Sequence, residues 1–263
     1  MSAVAPTAPP TGARARREAT IGLALALAIV AAWIAVHVAT VFHWRWTTAG
    51  VLLAPLAIAL QTWLGAGLFI VAHDAMHGSL LPGRRRAGDA LGRLALLLYA
   101  GFSYDRLLPK HLAHHRHPGT GDDPDFDAAH PTRFWPWYAR FMREYLGVRE
   151  LAALAAISVV WTRALGVPTS SLLAFWALPA ILSSLQLFRW GTWLPHRHDA
   201  AGFADRHRAR SDPRGAAATL LTCFHFGLHR EHHLYPAVPW WRLPSVRVGD
   251  ACAAPLARDR DRS

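Results

Sequence analysis

The stretch "TIGLALALAIVAAWIAVHVATVF", residues 20–42, decides the class of fold because it contains no charged residue over its whole length. A helix rises about 1.5 Å per residue, so this run is long enough to cross the hydrocarbon core of a bilayer. Arg14, Arg16 and Arg17 precede it, as basic residues precede a signal peptide. The run is too long for a signal-peptide core and lacks a small-residue cleavage site, so we predict a membrane-spanning helix.

Further apolar runs predict membrane helices in the rest of the chain. Residues 51–72 are long enough to cross back, and residues 151–162 and 172–188 form a weaker second pair. Residues 91–102 are too short to span, so we expect them to lie on the membrane or dip into it. The predicted fold class is therefore an all-α integral membrane protein. It has about four transmembrane helices in two hairpins and a helical cap on one side of the membrane.

Length and composition narrow the function classes. The 263 residues fit a single membrane domain, residues 20–248, between a disordered tail at 1–19 and a flexible tail at 249–263. The chain is 52% hydrophobic and has 28 Lys plus Arg against 17 Asp plus Glu, which favours a membrane protein with cationic loops over a nucleic-acid binder. Its two cysteines are far apart in sequence, so a metal would be held by His, Asp or Glu.

Arginine clusters predict the orientation of the spans. On the four-span map one side of the membrane carries most of the loop arginines: Arg14, Arg16, Arg17, Arg84, Arg85, Arg86, Arg197, Arg206, Arg208 and Arg210. The opposite loops hold only Arg45 and Arg163. The arginine-rich side, with both termini, is therefore expected to face the cytoplasm.

Histidines fall in four clusters on that same side. The clusters are "HDAMH" with His73 and His77; "HLAHHRH" with His111, His114, His115 and His117; "LPHRH" with His196 and His198; and "HFGLHREHHLYP" with His225, His229, His232 and His233. Residues at i, i+3 and i+4 share one helix face, so HxxHH points three imidazoles in one direction. Eight or more such histidines exceed the three or four ligands of one zinc site, which favours two metal ions. Imidazole suits Zn, Cu, Fe and Ni alike, so spacing does not identify the metal.

The remaining histidines and an acidic turn can each be explained by a structural role as well as by a functional one. His37 lies inside the first span, where a histidine bonded within a helix bundle is favoured over a proton relay. His43, His130 and His207 are predicted to be ordinary loop residues. Asp122, Asp123 and Asp125 in "GDDPDF" could bind metal, but an acidic turn that orients an imidazole or pairs with Arg is favoured.

The arrangement of HxxxH, HxxHH and HxxHH around two hairpins resembles the membrane-bound di-iron oxygenases, which include fatty acid desaturases, alkane hydroxylases and carotenoid hydroxylases. A finer similarity, to bacterial β-carotene 4-ketolases, rests on the residues flanking the histidines. They are "HDAMHGSLLPGR", "YAGFSY", "HHRHPGTGDDPDF", "GTWLPHR" and "FGLHREHHLYPAVPWWRLP". The resemblance extends from about residue 65 to residue 245.

The resemblance implies a ligand set and a reaction. Two non-haem iron ions would be held by His73, His77, His111, His114, His115, His196, His229, His232 and His233. Residues flanking these ligands would be Asp74, His117, Asp125, His198, His225 and Glu231. The implied reaction uses O₂ to convert the C4 methylene of a carotenoid β-ionone ring to a ketone, giving echinenone and canthaxanthin from β-carotene. The implied location is the bacterial inner membrane.

The substrate and the electron donor follow from the same resemblance. A carotenoid would enter from the lipid bilayer through an apolar opening between spans. The sequence contains no GxGxxG nucleotide fingerprint, so electrons are expected from a ferredoxin or similar donor at the cytoplasmic face.

Two alternatives stay open at this point. A carotenoid ring hydroxylase or an acyl desaturase would use the same iron site. A histidine-rich metal transporter would be no enzyme at all, but transporters place polar ligands near the membrane midplane, whereas these histidines are predicted at span ends and in loops.

Overall fold

The computed structural model describes residues 10–200 and 202–248, and within them every regular element is helical. The all-α prediction is therefore confirmed for this part of the chain. The helices are α1 (Gly12–Phe42), α2 (Thr48–His77), α3 (Arg85–Ala100), α4 (Tyr104–Arg116), α5 (Phe134–Tyr145), α6 (Val148–Ala164), α7 (Thr169–His196), α8 (Ala216–Cys223) and α9 (His229–Leu234). A short 3₁₀ helix, Trp240–Val246, follows α9.

Three of these helices are long and apolar enough to cross a membrane: α1, α2 and α7. They contain the predicted runs 20–42, 51–72 and 172–188. The third predicted run, 151–162, lies in α6, which meets α5 at an angle of 80° and reaches spanning length only when the bent pair counts as one span. Large apolar side chains on α2 and α7, such as Leu52, Leu56 and Ile181, are exposed, as expected of surfaces that face lipid.

The N-terminal helix begins earlier than the sequence predicts. It starts at Gly12, so residues 12–19 are helical and the prediction of a disordered tail is wrong for them. Ala and Arg are strong helix formers, and the Glu18 carboxylate is buried and paired with the Arg242 guanidinium at 2.5 Å. The remaining tail residues, 1–9 and 249–263, lie outside the described residues.

Helix α2 lies at the centre of the bundle and packs against α1, α3 and α7. Its C-terminal half is buried, because its side chains from Leu64 to Met76 contact neighbours on several sides. Helix α3 contains residues 91–100 of the short run 91–102 and packs along α2. This packing holds the end of α2, with its two histidines, close to α4 and α9.

Candidate metal centre

All nine histidines predicted as metal ligands converge at one end of the helix bundle. They form two groups in which one nitrogen from each ring lies within 4.8 Å of the others. The first group consists of His73, His77, His111, His115 and His232, and the second of His114, His196, His229 and His233. The structure therefore brings together side chains that are up to 160 residues apart in sequence.

Helical spacing explains how two HxxHH segments serve two groups. In α4, His111 and His115 are four residues apart and turn toward the first group, while His114 turns toward the second. In α9 the division is reversed, because His229 and His233 join the second group and His232 joins the first. Each helix thus supplies histidines to both groups and links them.

The Nε2 atoms within each group face one another at short range. The Nε2–Nε2 distance is 2.6 Å between His77 and His111 and 2.9 Å between His115 and His232. In the second group, His233 Nε2 lies 3.1 Å from the Nε2 atoms of both His114 and His229. Neutral imidazoles that turn lone pairs toward each other repel unless a cation lies between them, so this arrangement fits metal ions.

Acceptor oxygens beside the Nδ1 atoms determine which nitrogen of each ring carries the proton. His114 Nδ1 lies 3.0 Å from both carboxylate oxygens of Asp123, and His196 Nδ1 lies 2.7 Å from the carbonyl oxygen of Arg208. His73 Nδ1 lies 3.4 Å from Asp74. A ring that donates from Nδ1 keeps its Nε2 lone pair for a metal.

Two buried nitrogens add to this fit. The Nε2 atoms of His73 and His196 are buried and have no hydrogen-bond partner among the described residues. A buried polar atom without a partner costs free energy, and coordination to a metal would remove that cost. The donor set therefore suits two metal ions held by neutral imidazoles.

Burial favours the neutral form of five of these imidazoles, and the neutral form is the one that binds metal. Burial lowers the pKa of His111, His115, His229, His232 and His233 well below the usual value. His114 differs because, although burial opposes protonation, the carboxylates of Asp123 and Asp125 raise the pKa of this imidazole.

Three of the six predicted flanking residues are acidic, and two of them contact candidate ligands. The Asp74 carboxylate accepts from the backbone N–H of Trp240 at 2.9 Å as well as lying beside His73. Asp125 has one oxygen 3.7 Å from His114 Nδ1. Glu231 is buried but turns away from the imidazoles, since its carboxylate bonds the Ser211 hydroxyl and the Val248 backbone N–H.

The three predicted flanking histidines lie apart from both groups. His117 is exposed at the end of α4. His198 comes after the end of α7, and its ring packs on Phe126 at a centroid distance of 4.7 Å. His225 adopts a left-handed backbone conformation with φ of 62°, and its Nδ1 lies 2.8 Å from the Thr219 hydroxyl. Their prediction as neighbours of the ligands is therefore not supported by the geometry.

Sequence reasoning expected the acidic turn to orient an imidazole but singled out Asp125 from that turn, and it missed His207. Asp123, rather than Asp125, makes the close contact with His114, although both lie in the same acidic loop. His207 has its ring 6.1 Å from that of His233 while remaining partly exposed to solvent. A lone histidine in a loop has no spacing signal, so nothing in the sequence distinguished His207.

An apolar cavity reaches the histidines from the side. We call it the inner cavity. Its wall includes Phe69, Tyr99, Leu107, His111, His114, Asp125, Tyr145, Leu187, Gly191, Phe226 and His229. An outer cavity shares Tyr99, Phe102, Met142 and Ser184 with it and continues between α6 and α7. Together the two form an apolar path from the candidate metal centre toward the exposed apolar faces of these helices.

Comparisons with known proteins agree with this geometry. The fatty acid desaturase family model matches residues 46–153 and 144–262. Two proteins named beta-carotene ketolase, from two Paracoccus strains, are 54% and 50% identical to the chain. Those alignments cover 84% and 88% of the chain and 89% and 93% of the relatives. A beta-carotene ketolase from Haematococcus lacustris is 38% identical, over 86% of the chain and 78% of its own length.

Proposed function

The chain belongs to the fatty acid desaturase family, and we propose that its activity within that family is that of a β-carotene ketolase. The reaction converts the C4 methylene of a β-ionone ring to a ketone, so that β-carotene yields echinenone and then canthaxanthin. The observation that carries this proposal is that the apolar inner cavity ends at the histidine groups. The chain is also 54% identical to a protein named beta-carotene ketolase.

The nine histidines are proposed to hold two iron ions, one in each group. Bound iron would supply the oxidising chemistry, with O₂, that an allylic methylene requires, because this carbon has neither an acidic proton nor a leaving group. The Asp74 and Asp123 carboxylates orient His73 and His114 by accepting from their Nδ1–H groups.

The apolar wall has a separate task, which is to seat the hydrocarbon ring and exclude water. Phe226 contributes to this seat because its ring packs 5.0 Å from His73 and 5.2 Å from His229. A ring bound against Phe226 therefore lies beside both groups of histidines. Exclusion of water from this end of the cavity protects the reaction from side reactions.

The outer cavity is proposed as the route from the membrane. Its wall between α6 and α7 includes Leu154, Leu173 and Trp176, and it ends among side chains that face outward from the bundle. A carotenoid dissolves in lipid, so lateral entry avoids passage through water.

The membrane arrangement is also part of the proposal. Two hairpins, with the bent α5–α6 pair as one span, would place α4, α9 and the loop before α8 in a cytoplasmic cap. The clusters at Arg84–Arg86 and Arg206–Arg210 support this orientation by the positive-inside rule, and the Paracoccus relatives fit the bacterial inner membrane.

An external one-electron carrier such as a ferredoxin is proposed to deliver electrons near His207. This partly exposed imidazole contacts His233, and Arg206 beside it is exposed. Arg116 is also exposed and lies three residues before Gly119, whose carbonyl accepts from the Arg208 guanidinium at 3.2 Å. Arg206 and Arg116 make no ion pair within residues 10–200 and 202–248, which leaves their charges available to an acidic partner.

Expression in cells that make β-carotene tests the function. We expect echinenone and canthaxanthin to accumulate, with a colour change from yellow-orange toward red as carbonyl groups extend the conjugation. Chromatography with mass spectrometry identifies the products. Alcohols at C3 without ketones would indicate a ring hydroxylase, and unchanged carotenoids with new acyl double bonds would indicate a desaturase.

A further inference from the structure

The apolar inner cavity contains one carboxylate, that of Asp125, and it is hydrogen bonded to a second polar group, the hydroxyl of Tyr145. We call these two side chains the Asp–Tyr pair. The Tyr145 hydroxyl donates to Asp125 Oδ1, and both residues line the cavity beside His111 and His114. A hydrocarbon substrate has no group that could bond such a pair.

The Asp–Tyr pair is held firmly in place. The backbone N–H of Asp125 donates to Asp123 Oδ1 at 2.8 Å, and its carbonyl accepts from the Trp137 indole at 2.6 Å. The Lys110 ammonium lies 4.9 Å from the centre of the Tyr145 ring. Polar groups fixed in this way lose little further freedom when they bind a ligand.

The pair lies next to the candidate metal centre. The second oxygen of Asp125 is 3.7 Å from His114 Nδ1, and the Nε2 atom of the same ring faces the second histidine group. The Asp125 carboxylate and the metal-facing His114 imidazole therefore lie side by side in the cavity wall. A substrate ring that presents one carbon to the histidines brings a substituent on that carbon close to the pair.

Formation of a ketone by successive oxidation requires two rounds at the same carbon. In the first round O₂, two electrons and two protons convert the C4–H bond to C4–OH and release one water. The second round consumes the same reactants and gives a geminal diol, which loses water to leave C4=O. An enzyme that released the alcohol after the first round would be a hydroxylase. A ketolase therefore gains from binding the C4 alcohol more tightly than the hydrocarbon.

We propose that the Asp–Tyr pair binds the C4 hydroxyl of the alcohol intermediate and holds its remaining C4–H bond toward the histidine groups. The hydroxyl would donate to Asp125 and accept from Tyr145, so both partners of the pair stay hydrogen bonded. Retention of the alcohol then decides between ketone and alcohol as the final product. This inference rests on the proposed ketolase function.

The test is the ratio of C4 alcohol to C4 ketone in cells that make β-carotene and express Tyr145→Phe or Asp125→Asn. We expect the ratio to rise at least about tenfold in Asp125→Asn, the effect of losing a hydrogen bond to a charged group, and about threefold or more in Tyr145→Phe, which removes a hydrogen bond between neutral groups. Tyr104→Phe is the matched control, because its hydroxyl also donates to a carboxylate, Asp89 Oδ1 at 2.8 Å, but Tyr104 lines neither cavity. This variant should keep the wild-type ratio. An unchanged ratio in Tyr145→Phe, or an equal rise in Tyr104→Phe, would overturn the inference.

A second measurement covers the case in which the variants fold poorly. Membranes with the unaltered chain are given β-carotene or 4-hydroxy-β-carotene, and the initial rates of ketone formation yield KM for each. We expect KM for the alcohol to be lower by about tenfold, since the hydroxyl adds one such bond. Equal KM values would overturn the inference while leaving the ketolase function intact. Absence of ketone from both substrates would instead refute the proposed function.

Discussion

Gly191 is the position where one added methyl group should damage the substrate seat most directly. A Cβ atom at this position would lie 1.8 Å from Cε1 and 2.3 Å from Cδ1 of Phe226. Relief of the clash requires the Phe226 ring to retreat from 1.8 Å to about 3.5 Å, a displacement of about 1.7 Å. The ring cannot move freely, because His73 and His229 pack against it.

Gly191→Ala should therefore lower both stability and activity. Overpacking of this kind costs about 1–3 kcal/mol, and a displacement of about 1 Å at a reacting centre can lower the rate about a hundredfold. The assays are the unfolding temperature in detergent and the rate of ketone formation per iron-loaded chain. Gly88→Ala is the matched control, since a Cβ atom at position 88 would lie 3.8 Å from the nearest neighbouring atom, Leu81 Cβ. This change should preserve activity and raise helix stability by up to about 1 kcal/mol.

A double variant distinguishes the stated cause from general damage. Phe226→Leu removes ring atoms that clash with the new methyl group, so Gly191→Ala should cost less activity in that background than in the unaltered chain. Wild-type turnover in Gly191→Ala, or equal losses in the two backgrounds, would refute the argument that Gly191 makes room for Phe226.

Two further predictions concern the metal ions and the electron donor. His196→Ala should lower bound iron from about two ions per chain toward about one, as measured by elemental analysis, because it removes a ligand from the four-histidine group. His198→Ala is its control and should retain the iron, and equal losses from the two variants would contradict the assigned group. Arg206→Glu should raise KM for reduced ferredoxin about tenfold at low salt and less at high salt, whereas Arg163→Glu, predicted on the opposite side of the membrane, should not. An unchanged KM for Arg206→Glu would remove Arg206 from the docking surface.

The sequence predicted the long helices well because an uncharged run of more than twenty residues has few alternatives to a membrane helix. Helices α1, α2 and α7 contain three of the four predicted spans. The sharp bend between α5 and α6 was not predictable, because it occurs around Leu146 and Gly147 without a proline. The helical start at Gly12 was missed because Ala- and Arg-rich sequence is compatible with both a tail and a helix.

Spacing also explains what could be predicted of the site. HxxHH places imidazoles on neighbouring helix positions, so their convergence followed from the helix period. The choice between Asp123 and Asp125 depended on the backbone path of the acidic turn, which identical side chains do not reveal. His196 and His198 differ because α7 ends at His196, and a helix end is difficult to place from sequence.

The distribution of the histidines over the chain also determines when the centre can form during synthesis. Neither group is complete without α9, since His232 belongs to the first and His229 and His233 to the second. His229, His232 and His233 leave the ribosome after the other histidines of the two groups, because α9 follows the helices that carry those histidines. The long apolar helices precede them and enter the bilayer first. A metal ion can therefore complete either group only after the long helices have left the ribosome, and a chain that ends before α9 would contain those helices but could not assemble either group.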